Sequence, residues 1–209
     1  MVDFGDTELP WPRKGDDPRT IGEYSRLVAS FHVGFDEPWG PIAEGFKRLG
    51  DLGVASVEQT GHGHDFLVYP ILFSYRHFIE LSLKEIIRNA RSLLDKDGSA
   101  PETHNLANLW NTAEPLLMEI EKGSAPTYRD VRACLARFDE MDPTSEAFRY
   151  PVKRSGENAL PDDLHSLDLG QVREVIANIA AFLDAVATQT SVYLDSKDEM
   201  GRAYGDYDS

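Results

Sequence analysis

The chain has little of the material from which several protein classes are built. Its 209 residues hold one cysteine, Cys134. An internal disulfide framework is therefore excluded, and the composition fits a reducing cytoplasm. Positive charge is scarce: 21 Lys and Arg stand against 36 Asp and Glu, a net charge of −15. Such a chain repels polyphosphate at long range, which argues against non-specific nucleic-acid binding but leaves room for a local basic pocket. Long apolar runs are missing. The longest, residues 66–73, is too short to span a bilayer and is followed by Arg76-His77, so no membrane association is expected. The start, Met1-Val-Asp-Phe-Gly-Asp6, is acidic and lacks the apolar stretch of a signal peptide. The chain has no Gly-rich phosphate loop and no Ser nucleophile elbow. It also has no convincing strand alternation.

What is present is helical periodicity. Apolar content of 41% and aromatic content of 10% mark a globular chain, long enough for one domain with appendages. Residues 1–19 read as an extended arm rich in Pro and charge, in which Trp11 can anchor. Thr20-Ile-Gly-Glu23 has capping-box spacing and predicts a helix over 21–31, although a strand fits the same stretch. After a turn at 36–41, Ile42, Phe46 and Leu49 recur at helical spacing to about Val57. A helix with Leu106, Leu109, Trp110, Ala113, Leu116, Leu117 and Ile120 on one face follows, ended by Gly123. Thr127-Tyr-Arg-Asp130 opens another, with Val131, Cys134, Leu135 and Phe138. Asp168-Leu-Gly-Gln171 caps a last helix running to about Leu194. The expected architecture is all-α: an up-and-down bundle of about five helices over 20–195, with a frayed tail at 196–209.

The most informative segment is a central helix from about Asp65 to Asp95, which Pro70 begins or kinks. On a helical wheel Leu72, Tyr75, Ile79, Leu83, Ile86, Ala90 and Leu93 share one face. His77, Glu80, Lys84, Arg88 and Arg91 form a stripe opposite, with Arg76 at the edge of the apolar face. Phe73, Leu81 and Ile87 interrupt the charged side. A helix apolar on more than one side lies at the centre of a bundle, and charges held there need partners. Residues 66–98 carry 5 basic and 4 acidic groups, so this is the one stretch of the chain that is not acidic.

Other candidates are weaker. Gly61-His-Gly-His-Asp65 offers nitrogen and oxygen ligands but no spaced third or fourth ligand, so no metal site is assigned and no cofactor is expected. Cys134 on an apolar face reads as a small core residue. Asn105 or Thr103 is placed to cap the helix behind His104, which leaves His104 incidental unless it points back toward the central helix. Phe148-Arg-Tyr-Pro151 can stack on a base and hold a phosphate. It can equally plug the bundle through Phe148 and Tyr150 while Arg149 pairs with an acid such as Glu80.

Four segments in order carry a resemblance: Tyr75-Arg-His-Phe-Ile-Glu-Leu-Ser-Leu-Lys84, His104-Asn-Leu-Ala-Asn-Leu-Trp110, Ser145-Glu-Ala-Phe-Arg-Tyr-Pro151, and a final helix beginning Leu167-Asp-Leu169. This order is similar to poorly characterised cytoplasmic branches of the bacterial HEPN superfamily, over roughly residues 64–195. The resemblance implies a helical bundle that often forms homodimers. It also implies a place in toxin–antitoxin or other defence and stress systems, with a cognate antitoxin or nucleotidyltransferase as partner. Many members are metal-independent ribonucleases; others have lost catalysis and act as binding modules for RNA or nucleotide, or as adaptors without a ligand. The nuclease members carry an Arg–His signature on a late helix, and this chain has no such pair there. Arg26 and His32 have the spacing but lie outside the matching region.

The leading expectation is therefore a non-catalytic or cryptic module binding RNA or nucleotide. In the ribonuclease alternative, His77 or His104 serves as base and Arg76, Lys84 or Arg149 as the cation that holds the phosphorane charge, with Glu80 orienting Arg76 or Lys84. The binding candidates are Glu80, Lys84, Arg149 and Tyr150. Against both stands a structural reading, in which Arg76–Glu80 and Glu80–Lys84 are ordinary i,i+4 pairs, each worth about 0.2–0.5 kcal/mol on a surface helix.

Overall fold

The computed structural model describes residues 14, 16–19, 26–31, 38–121 and 125–205. The chain divides into two units, Met1–Asp36 and Glu37–Ser209. In the first unit Arg19 pairs with Asp17 at 2.7 Å. Residues 26–31 carry no helix, which corrects the described half of the helix expected over 21–31. Leu27 and Phe31 lie almost wholly in solvent, and a short helix without a buried face is marginal in water. The arm's Trp11, the Thr20–Glu23 capping box and His32 fall outside the described residues.

The second unit is an all-α bundle of five helices. They are α1 (Trp39–Thr60), α2 (His64–Leu93), α3 (Leu106–Ile120), α4 (Ala125–Met141) and α5 (Leu169–Gly205). No strand occurs among the described residues; one isolated bridge joins Val152 and Asn158. Helix α2 packs against α1, α3 and α5 and is the centre of the unit. Its residues from Ile71 to Ile87 are buried nearly all round, including Arg76, Glu80 and Lys84.

Local chemistry sets the boundaries. Gly61 and Gly63 adopt positive φ of 67° and 82°, so three residues suffice to turn α1 back into α2. Pro70 lies inside α2; without its N–H the Phe66 carbonyl loses its helical donor, at a residue that is solvent-exposed. The Asn105 side chain caps α3 by accepting from the Asn108 N–H at 2.8 Å. Asp168 caps α5 through the N–H groups of Gly170 and Gln171, at 2.8 and 3.1 Å.

The expected turn at 36–41 gives way to helix from Trp39, and α4 begins two residues before its capping-box pattern. Helix α5 continues past Leu194 to Gly205. By length and composition it is the one described helix apolar enough to cross a membrane. Core helices share that property, and Ile176, Ile179, Leu183 and Val186 are buried in the bundle. Helices α1 and α2 approach closely because Gly50 lies against the ring of Tyr75, where a Cβ would come within 2.5 Å. Beside it the Tyr75 hydroxyl donates to Asp51 at 2.8 Å.

Candidate functional site

Three layers of charge converge where α2, α3, the end of α4 and the following loop meet. The innermost is Arg76, 1% exposed. Its guanidinium donates to Ser145 Oγ and to the His104 carbonyl, both at 3.0 Å, and to Asp139 Oδ1 at 3.4 Å. Glu80 Oε2 and Asp142 Oδ2 lie at 3.6 and 3.5 Å. The two aspartates have second tasks. Asp139 accepts from the N–H groups of Leu106 and Ala107, at 3.0 and 2.6 Å, and so caps α3 from α4. Asp142 accepts from the N–H groups of Glu146 and Ala147 and so shapes the loop. Arg76 is thus a strut among α2, α3 and α4. Closed off by ion pairs, it is out of reach of a ligand in solvent.

The second layer is built on Glu80, 2% exposed. Its Oε1 accepts from Lys84 Nζ at 2.9 Å and from His104 Nδ1 at 2.8 Å. Burial pushes the Glu80 carboxyl up, but the bonds and charges of Lys84 and His104 outweigh it and hold the group below the ordinary carboxylate range. An ionised carboxylate only accepts, so His104 donates to Glu80 through Nδ1. The His104 side chain is 64% exposed. A buried carboxylate that orients an exposed imidazole is the arrangement that readies a histidine for proton transfer or for a phosphate. His104 therefore does point back at the central helix while Asn105 does the capping.

The outer layer is aromatic and cationic. His77 stacks on Phe73 with centroids 5.6 Å apart, meets Phe46 edge-on at 4.4 Å, and lies 4.0 Å from Glu80. Burial lowers its basicity; the Glu80 charge opposes this, while Lys84, His104 and Arg149 add to it. The Arg149 guanidinium sits over the Phe73 ring at 5.7 Å and over the Tyr150 ring at 5.6 Å. It donates to the Ser145 carbonyl through Nε at 2.8 Å and also through Nη2. The expected Arg149–Glu80 pair does not form, because the turn over 145–149 brings a carbonyl to the guanidinium first. Of the expected plug, Phe148 is buried while Tyr150 remains 55% exposed. Next to them Arg149, Tyr150, Lys153 and Arg154, with Glu146, line an open hollow of about 360 Å³. Among the described residues its three cations make no ion pair with a carboxylate, although Glu146 borders the same hollow.

The structure brings the sequence candidates His77, Glu80, Lys84, His104 and Arg149 together, and places Arg76 and Tyr150 at opposite extremes of burial. Sequence reasoning missed Asp139, Asp142 and Ser145, which close the Arg76 cage, and Lys153 and Arg154, which enlarge the cationic surface. Lys153-Arg154 two residues after Phe148-Arg-Tyr-Pro151 was a readable signal. His62 is exposed, His64 lies 3.9 Å from Asp65, and no metal-binding group of three ligands occurs among the described residues. Cys134 packs against the core. No family model, curated protein or solved structure matches this chain.

Proposed function

We propose that the chain is a HEPN-like helical module that binds the phosphate and base of RNA or a nucleotide on the face formed by His104, Arg149, Tyr150, Lys153 and Arg154. One observation carries this reading. In a chain of net charge −15, three cations without carboxylate partners surround a hollow beside an aromatic–guanidinium stack that ends in an exposed tyrosine ring. Cations hold phosphate, and an exposed ring next to a guanidinium offers a base a stacking platform. The buried Arg76 cage serves the fold, which suits a module that binds without cutting. The test is the affinity of the full chain for short single-stranded RNA and for ATP across a salt series. A combined Arg149→Ala, Lys153→Ala, Arg154→Ala variant should lose binding and flatten the salt slope by roughly 0.7 per lost phosphate contact. Salt-independent or unchanged binding rejects the proposal.

The Glu80–His104 pair favours a second reading, a metal-independent endoribonuclease. There Nε2 of His104 takes the 2′-hydroxyl proton as the 2′-oxygen bonds to phosphorus, Arg149 holds the developing phosphorane charge, and the P–O5′ bond breaks with the 5′-oxygen protonated from solvent, leaving a 2′,3′-cyclic phosphate. RNA cleavage that His104→Ala abolishes and metal chelation spares supports it; intact RNA after prolonged incubation rejects it. The cytoplasmic defence setting and the homodimer belong to the same proposal and are checked by growth arrest on expression and by mass in solution.

A further inference from the structure

On the other side of the 147–151 segment lies a second cavity, which shares none of the cations of the phosphate-binding face. Its volume is about 360 Å³, roughly a dozen waters' worth and within the size range of small-molecule sites. The start of α2, the start of α5 and the loop over 160–167 wall it. A further hollow of about 400 Å³ adjoins it, and the two share Tyr69, Leu160 and His165. Together they form one groove.

The chemistry of the lining is one-sided. The floor is apolar: Leu72 and Phe148 are buried there, and Leu160 and Leu169 complete it. Asp65 stands at one end, Asp162 at the other, and the rings of Tyr69 and Tyr150 border the groove between them. No lysine or arginine lines either part, in contrast to the hollow across the segment; its basic side chains are His64, 3.9 Å from Asp65, and His165. Carboxylates at both ends, aromatic rings along the rim and no lysine or arginine make a surface that attracts positive charge and repels negative wherever the two imidazoles are neutral.

We infer that this groove binds a small organic ammonium ion, an apolar body carrying one positively charged nitrogen. The nitrogen sits between the Asp65 carboxylate and the Tyr69 ring, and the body lies along Leu72, Phe148 and Leu160. The site borders the phosphate-binding face at Tyr150 but uses none of its cations, so the loss of either site leaves the other testable through Asp65 or through Arg149, Lys153 and Arg154.

The test uses three probes of one length, a phenylalkylamine, the matching alcohol and the matching carboxylate. Each is titrated into the full chain by calorimetry at about pH 8, where an imidazole is ordinarily neutral. The amine should saturate at one site per chain, and the alcohol and carboxylate should bind at least tenfold more weakly. Asp65→Asn, at an exposed position, should weaken the amine about fivefold. Leu160→Arg should abolish binding by placing a cation in the groove. If Leu160→Arg fails to fold, the Asp65→Asn ratio and the probe series still decide. Absence of saturation by the amine, equal binding of alcohol or carboxylate, or an unchanged affinity in Asp65→Asn overturns the inference.

Discussion

His104 Nδ1 lies 2.8 Å from Glu80 Oε1, although the histidine side chain is 64% exposed and the carboxylate only 2%. The pair joins the surface to the core, and its electrostatics have a definite sign. The Glu80 carboxyl lies below its ordinary value in the folded chain. A group with a lowered folded value stabilises above its unfolded value, about 4.3, and that stability is lost as pH falls through the folded value. Glu80→Gln should therefore melt well below wild type at neutral pH, with the gap closing as pH drops beneath about 4. Leaving Arg76 and Lys84 without this partner should cost about 3–5 kcal/mol. Thermal melts of both proteins across pH check this; a gap that stays constant with pH refutes it.

Arg76→Met should destabilise by a similar amount, because Glu80, Asp139 and Asp142 are left facing one another out of water. Arg76→Lys should recover only part, since one ammonium cannot span the hydroxyl, carbonyl and carboxylates that the guanidinium reaches. Urea unfolding midpoints measure both. RNA affinity of the folded protein should be unaltered in Arg76→Lys, which separates a strut from a binding residue.

The partners of Arg76 show where sequence reading ends. Lys84 and Glu80 are one turn apart, so their pairing follows from helical spacing. The caps at Asn105 and Asp168 are likewise local and legible. Asp139 stands 63 positions from Arg76. Nothing nearby distinguishes it or Asp142 among 36 acidic residues, because their role depends on how α4 lies against α3. The expected Arg149–Glu80 pair failed for the converse reason. The turn held by the Arg149 N–H to the Glu146 carbonyl offers a closer acceptor at no cost in chain closure. The burial of α2 on every side was legible, since its apolar residues occupy more than one face.

Two glycines of α1 should respond oppositely to alanine. At Gly45 an added Cβ meets nothing within 4 Å, so Gly45→Ala should stabilise by about 0.5–1 kcal/mol through helix propensity. At Gly50 the Cβ would enter the Tyr75 ring, itself fully buried. Gly50→Ala should therefore cost about 1–3 kcal/mol despite the same gain in propensity. The pair of midpoints tests the α1–α2 contact independently of any electrostatic argument.

Ser145 combines two opposing terms whose balance can be measured. Its φ is 61°, a left-handed conformation that costs a residue with a Cβ roughly 1–2 kcal/mol. Its hydroxyl accepts from the buried Arg76 at 3.0 Å, a charge-assisted bond worth about 1.5–3 kcal/mol. Ser145→Ala loses the bond and keeps the strain. Ser145→Gly loses the bond and relieves the strain. The expected order of stability is wild type, then glycine, then alanine, with about 1–2 kcal/mol between the two variants. Denaturant titration reads the order directly. Equal midpoints for the two variants would show that residue 145 is not held at positive φ, and the tether from Arg76 through Ser145 to Arg149 would fail with it.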